Sequence, residues 1–441
     1  MLIPRLVAIL AVVLGLLVPR LGLAETEAEA DAKAAGRTPD AVKKQEKELL
    51  PPKDVLEKSN AAQAPDAYQP KGVDLGLFLL LPKLEVDETW LSNVFATQYD
   101  AVSDYITAIR PEIALNSRME RHSVTALTRL ERKEFRRYKK ESVTNGFAQL
   151  SGRYDIGERD NLNAMISYVR DNEDRGSPDN SGGNIPTEYH YLTFNGSGAM
   201  VTGQLTSVLG VTVVNRDWED VGKSTGVAAN HFRNRTEYEQ KLRESYEFRP
   251  GYSALLEGVL NQRVYQHKRD GADTDRDSMG WRASSGLGVD LSDLVRGDFL
   301  LGYFRQDYAD GRYRDSHGPF VKASFNWTPT RLTTIVPTLE RSVEESTATG
   351  VSSLVRTAAT VMVRHELMRN WFIGGVAGYA MENQIGGSIK TKTHNGLLRS
   401  TYLFTPNFYL EGEVGTRHKL SNTDGGGFVQ NTAMFRLGAQ Y

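Results

Sequence analysis

Cysteine is absent from the 441-residue sequence, which excludes disulfides, thiolate metal sites and cysteine nucleophiles. After the first two dozen residues no apolar run approaches the roughly 18 residues of a membrane-spanning helix. The longest, Leu75 to Leu81, is one strand's worth. A basic surplus is also missing, with 53 Lys and Arg against 55 Asp and Glu, so nucleic acid is not an expected partner. No internal repeat of propeller or β-helix length is visible. Neither a Gly-x-Ser-x-Gly nucleophile elbow nor a phosphate-cradling glycine loop occurs, and none of the eight histidines pairs with another at i, i+4. His365-Glu366 begins like a zincin motif whose second histidine is missing. The expectation is a protein without enzymatic activity, cofactor or metal.

What is present begins with a leader. Met1 to Ala24 has a positive Arg5, an apolar run from Leu6 to Val18 and a small-x-small Gly22-Leu23-Ala24, so residues 1–24 read as a secretory signal peptide. Losing Arg5 and Arg20 with it leaves 51 of the 53 basic residues against 55 acidic ones, a net charge of −4. Residues 25–72 are polar and, through Gln69, rich in Ala, Glu, Lys and Pro. Such a segment buries too little apolar surface to fold alone and is expected to be a flexible periplasmic tail.

From Val73 onward the chain alternates apolar and polar residues in strand-length segments. Leu162, Ala164, Ile166 and Tyr168 share one parity, while Asn161, Asn163 and Ser167 share the other. Connections alternate as well. Long polar stretches (171–186, 217–235, 267–277, 309–317, 342–350, 384–390, 419–427) are answered by short turn-like ones (195–198, 249–251, 292–297, 328–330, 368–370, 405–407) rich in Gly, Pro, Asn or Asp. A soluble sandwich has turns at similar spacing but no reason to alternate their lengths. An outer-membrane barrel has one, because its periplasmic turns are short, its extracellular loops long and its strand number even. Residues 73–441 are therefore expected to form an all-β, transmembrane, antiparallel up-and-down β-barrel of about 18 strands.

Charges keep to one parity of each strand, as they must if the other meets lipid, where a midplane charge costs roughly 2–4 kcal/mol. Candidate lumen-facing residues along a transport path are Arg110, Glu112, Asn161, Asn163, Asn261, Arg263, Arg282, Asp290, Arg364, Glu411, Glu413, Arg436 and Gln440. Their mixed signs suit hydrated, hydroxyl-rich or weakly charged cargo better than a selective ion pore. Tyr and Trp at strand ends read as interfacial girdles. Some strands remain ambiguous, notably Leu332 to Glu340, where both parities are mostly apolar. Asp273, Asp275 and Asp277 alternate as in a calcium loop, but Ser278 and Ser284 stand where its glycine and glutamate belong, so the loop reads as solvated.

Trp90-Leu91-Ser92-Asn93-Val94-Phe95, Ser103-Asp104 and Pro111 resemble the opening of the Putative beta-barrel porin 2 family, and Glu173, Arg175, Ser177-Pro178-Asp179 resemble its Glu-x-Arg-x-Ser-Pro-Asp loop. Gly302-Tyr303 and Trp327-Thr328-Pro329-Thr330 fall where similar elements recur, and Ser92 replaces an acidic residue. The resemblance covers about Val73 to Tyr441. It implies a barrel in the Gram-negative outer membrane, with members encoded among exopolysaccharide export machineries. Some relatives serve a periplasmic export protein that has no membrane-spanning part of its own. The function expected from it is an outer-membrane conduit for exopolysaccharide export. A general diffusion porin for small hydrophilic solutes is the alternative and an outer-membrane hydrolase, with a Ser/His/Asp site built from distant strands, the third reading. Expected partners are outer-membrane lipid, the barrel assembly machinery and a periplasmic polysaccharide export protein.

The final strand, Phe428 to Tyr441, carries Phe435, Leu437 and the terminal Tyr441 on one parity and Arg436 and Gln440 on the other. Phe435, Leu437 and Tyr441 read as the signal recognised by the assembly machinery. Replacing Tyr441 by a charged residue, or deleting it, is expected to impair membrane assembly without affecting export to the periplasm. Fractionation of cells expressing the variant checks this; wild-type amounts of assembled barrel would refute the topology.

Overall fold

Side-chain alternation dictates the local structure. In the strand Tyr252–Tyr265, Leu255, Glu257 and Val259 are buried while Leu256 and Leu260 are more than half exposed, so one row faces the interior and the other faces out. The computed structural model describes residues 68–441 apart from 178, 181, 224, 225, 268–274, 292, 293, 347 and 349. The expected signal peptide, the tail as far as residue 67, Pro178 of the family-like loop and Asp273 of the acidic loop lie outside the described residues.

Eighteen strands form the wall. They are β1 (Phe78–Leu91), β2 (Asp104–Ser117), β3 (Ser123–Phe135), β4 (Val143–Ile156), β5 (Asp160–Asn172) and β6 (Glu188–Thr202). Next come β7 (Leu205–Trp218), β8 (Arg235–Arg249), β9 (Tyr252–Tyr265), β10 (Ser278–Asp290), β11 (Val295–Tyr308) and β12 (Ser316–Thr330). The last six are β13 (Thr333–Glu345), β14 (Ser353–Met368), β15 (Trp371–Ile385), β16 (Lys390–Leu403), β17 (Phe408–Ser421) and β18 (Phe428–Gln440). Each pairs antiparallel with its sequence neighbours, and β18 returns to β1, with Lys83 opposite Gln440 and Leu91 opposite Thr432. The sheet thereby closes on itself as a barrel.

Outward rows carry exposed Leu84, Leu130, Leu256, Leu398 and Phe435, the apolar band that lipid requires, whereas Arg436 on the inward row is 0% exposed. Trp371, Tyr402 and Phe404 cluster at the short-turn end, where an aromatic girdle is expected.

Two expected turns lie inside strands. Residues 195–198 fall within β6, and the turn that follows sits at Gly203, whose φ of +62° suits glycine. Asn195 and Ser197 imitate turn chemistry because the interior row is itself small and polar. Thr328-Pro329-Thr330 ends β12, with a register shift between Trp327 and Thr330 that accommodates the proline. The ambiguous 332–340 stretch belongs to β13. It is apolar on both sides because its inward Val336 packs on Met362, Val376 and Leu397 inside the barrel.

The wall is not a simple cylinder. Pairing of β12 with β13 runs from Thr330–Thr333 up to Val321–Arg341 and, among the described residues, stops there. Above that point the upper ends of β13, β14 and β15 bend into the lumen. Val343, Val355 and Ile385 share a parity with Val361 and Val363, which face out lower down; yet they pack on the inward Leu255, Leu300, Phe304 and Phe320 of β9, β11 and β12. Polar contacts fasten the overlap. Ser316 Oγ and Ser353 Oγ lie 2.5 Å apart, the Tyr308 hydroxyl donates to the Ser352 carbonyl at 3.0 Å, and the Arg276 guanidinium donates to the Ser346 and Val351 carbonyls. One part of the sheet slides behind another, as in a scroll.

Because the chain contains no cysteine, a Ser316→Cys/Ser353→Cys double variant is expected to form a disulfide on mild oxidation in the membrane, joining strands that a regular barrel would hold apart. A mobility shift on non-reducing gels reads it. Absence of the cross-link in assembled protein would refute the overlap.

Candidate functional site in the lumen and its extracellular mouth

The interior is built from the inward rows, and its chemistry changes around the circumference. Across β16, β17, β18, β1, β2 and β3, acidic and basic side chains alternate into a ladder. Arg399 bonds Glu413 and lies 3.5 Å from Glu411; Glu411 lies 3.0 Å from Arg436; Arg436 reaches Asp87 at 3.4 Å. Arg110 then links Asp87 to Glu131, and Arg129 donates to Glu112 at 2.6 Å. Lys83 sits 2.9 Å from Glu85, which accepts the hydroxyl of Tyr409. Of the expected lumen residues, Arg110, Glu112, Glu411, Glu413 and Arg436 come together here.

A second charged sector lines β8 to β11 and the overlapped β13. Arg282 lies 3.1 Å from Glu257 and stacks over Phe320, while Arg263 pairs with Glu345, which also accepts the Tyr265 hydroxyl and lies 3.2 Å from that of Tyr308. Asn261 faces the same space, a cavity of about 230 Å³ also lined by Arg216, Glu237, Lys322, Glu340 and Arg356. Arg364 is set apart on β14, stacked on the Phe372 ring at 4.7 Å. Asp290 and Gln440 occupy the periplasmic rim. Asp290 pairs with Arg296 at 3.0 Å, and Gln440 donates to the Pro406 carbonyl at 3.0 Å, so both brace turns there.

Between the charged sectors, the inward rows of β4 to β6 are rich in amides and hydroxyls, with one charged pair, Arg153 and Asp155 at 2.7 Å, opposite Asn163 and Asn161. Asn163 donates to Asn161 at 2.8 Å, and Gln149, Ser151, Asn195 and Ser197 share the inward face. Apart from the two asparagines of β5, these groups went unnoticed in the sequence, although inward parity along β4 and β6 points to them. The ladder's Glu85, Asp87, Glu131 and Arg399 were missed likewise. Tyr189, Tyr191 and Trp218 correct the girdle expectation. They sit at strand ends but face inward as a cluster, with Arg216 over Tyr191 at 4.5 Å and Arg233 over Trp218 at 4.6 Å.

The loop from 173 to 187 crosses the extracellular mouth. Its Glu173 forms a fully buried pair with Arg233 at 2.7 Å, and removing one partner of such a pair costs about 3–5 kcal/mol. Arg175 holds Glu141 of the β3–β4 loop at 2.6 Å. Asp174 reaches Arg417 of β17 at 2.9 Å, and Lys419 donates to the Gly176 carbonyl at 3.0 Å. A Cβ on Gly176 would lie 2.6 Å from the Phe428 ring, so only glycine allows the loop this approach. Asn93 is buried and donates to the Thr97 and Val429 carbonyls, and Asp104 accepts the Arg137 and Tyr138 amides. The family-like residues are thus the fasteners of the mouth. At the opposite end Tyr68 packs on the inward Phe372, Leu403 and Tyr409, which brings the chain before β1 into the periplasmic opening.

The family model described as Putative beta-barrel porin 2 matches residues 65–441. The chain belongs to that family. This porin-2 barrel resides in the outer membrane, as the family, the closed 18-stranded wall and its apolar outer band require. No curated protein matches the sequence. Among solved structures it is similar to OpdK of Pseudomonas aeruginosa, at 11% identity and a TM-score of 0.43 over 82% of this chain and 99% of that one. It is also similar to OccAB3 of Acinetobacter baumannii, at 8% identity and 0.44 over 82% and 99%. The ferric enterobactin receptor PfeA of Pseudomonas aeruginosa aligns at 6% identity and 0.44 over 82% and 80%.

Burial pushes the Asp174 carboxyl up, but the Arg417 guanidinium, the Gly176 amide and Lys419 outweigh it and hold it below the ordinary value of 3.8. A depressed carboxylate keeps its contact at every pH above its ordinary value and loses it as pH falls through the lowered one. Asp174→Asn is therefore expected to loosen the loop at neutral pH. A half-exposed pair is worth ~1 kcal/mol at most, a factor of about five in the open population. Bilayer recordings should show a larger or noisier current in the variant, while the wild-type current stays constant from neutral pH down to the ordinary carboxylate range. Identical currents would remove the loop as a barrier.

Proposed function

We propose that this porin-2 barrel is an outer-membrane conduit for the export of an exopolysaccharide. The observation that carries the reading is the set of amides and hydroxyls Gln149, Ser151, Asn161, Asn163, Asn195 and Ser197, interrupted only by the mutually paired Arg153 and Asp155, between two sectors whose charges are neutralised pairwise. Sugar hydroxyls exchange readily among amides and hydroxyls. Each such bond contributes only about 0.5–1.5 kcal/mol net, enough to replace water along a path without trapping the cargo. A charge-selective pore would instead carry an unpaired ring of one sign.

The direction of transport also accords with the two ends. Tyr68 brings the chain that precedes the barrel to the periplasmic opening, within reach of a periplasmic partner, and the loop after β5 is tied to β17 at the far end. Deleting the gene is expected to leave polysaccharide synthesis intact while abolishing surface polysaccharide, with rescue by the wild-type gene. Rescue by an Asn163→Asp/Ser197→Asp variant should be weaker. Normal surface polysaccharide in the deletion strain would discard the reading. Large steady conductance of the purified barrel, with no export protein co-purifying, would then favour a diffusion porin.

A further inference from the structure

Three tyrosine–histidine pairs stand on the outward face near the extracellular ends of adjacent strands. Tyr168 and His190 share a hydrogen bond of 2.7 Å, as do Tyr303 and His317; Tyr379 and His394 have ring centroids 5.0 Å apart. The first two carry their own carboxylates. His190 lies 3.2 Å from Glu188, which also holds Arg170 at 2.7 Å. Beside Tyr303 and His317, Arg305 is paired with Asp307 at 2.7 Å.

The third pair differs. Lys390, Lys392 and His394 follow one another along the outward row of β16, and His418 of β17 lies 6.4 Å from His394. All four are exposed. The neighbouring outward residues are Met381 and Asn383 on β15 and Thr416 and Leu420 on β17, and among the described residues no carboxylate lies within ion-pair distance of the cluster. Glu382 points the other way, towards Arg356 and the lumen. Four potential cationic donors are thus gathered with no protein counter-ion, at a place where its two analogues have one.

Height decides what the missing anion is. Lys392 is ten residues above Tyr402 of the periplasmic girdle on the same strand. At roughly 3.4 Å per residue and about 40° of tilt this is about 26 Å of membrane thickness, the full apolar band. The cluster therefore meets lipid headgroups. We infer that Lys392, His394 and His418 form a binding site for the phosphate of a lipid headgroup in the outer leaflet, with Tyr379 bounding it and Leu398 and Val414 below it receiving the acyl chains. Lysine supplies a point charge and the imidazoles supply donors, the combination that fits a phosphate oxygen cluster. The site is independent of the cargo.

The full-length protein in detergent micelles tests it by native mass spectrometry, with dioctanoyl phosphatidic acid, dioctanoyl phosphatidylcholine and inorganic phosphate as probes. The wild type should retain phosphatidic acid at least tenfold more tightly than a Lys392→Gln/His394→Gln/His418→Gln variant. A His190→Gln/His317→Gln variant should match the wild type, and neither phosphatidylcholine nor inorganic phosphate should be retained. Heat-modifiable gel mobility verifies folding; if the triple variant does not fold, Lys392→Gln alone should lose about threefold. Equal retention by wild type and the Lys392-cluster variants would overturn the site. Inorganic phosphate bound as tightly as the lipid would identify a soluble anion and overturn the lipid assignment.

Discussion

Closure between β18 and β1 is the constraint on which the rest of the structure depends. Arg436 is wholly buried there between Glu411 on one side and Asp87 on the other, so the same guanidinium bridges three strands across the point where the two ends of the chain meet. Lipid outside disfavours charge on the outer row across the apolar band, and the ionised groups at that height are gathered and matched within the interior. A lone buried charge would destabilise the barrel by several kcal/mol, whereas the ladder sets acidic and basic groups beside one another from strand to strand. The amides and hydroxyls of β4 to β6 are the complementary solution, because such groups need no counter-charge.

These two solutions define what the interior offers a passing molecule. Charge is present but already satisfied, and the polar groups left over are weak, numerous and interchangeable. The obstacles lie at the ends, where the crossing loop and the overlapped strands narrow the extracellular half and Tyr68 stands in the periplasmic opening.

Much of the architecture was legible in the sequence because the contrast between lipid and water imposes a period of two on nearly every strand. The strand number and the alternation of long and short connections follow from it, and all thirteen expected lumen residues lie on inward rows. Turn chemistry misled at Asn195 to Gly198, since small polar residues serve a wet interior as well as they serve a turn. Ion-pair partners were not legible, because Asp87 and Arg436 are 349 positions apart and only closure brings them together. Nor was the overlap, as Val343, Val355 and Ile385 look alike whether they meet acyl chains or another part of the same wall.

The overlap changes how the size of this pore is to be reckoned. Strand number sets the girth of a barrel only where every neighbour is zipped to the next. Below Arg341 β12 is zipped to β13; above it, the upper ends of β13, β14 and β15 pack on the inner faces of β9, β11 and β12 instead of extending the circumference. The two halves of the lumen are therefore built differently. The upper bore is governed by how far one sheet edge lies over another, held by serine, tyrosine and arginine contacts rather than by a ladder of backbone hydrogen bonds.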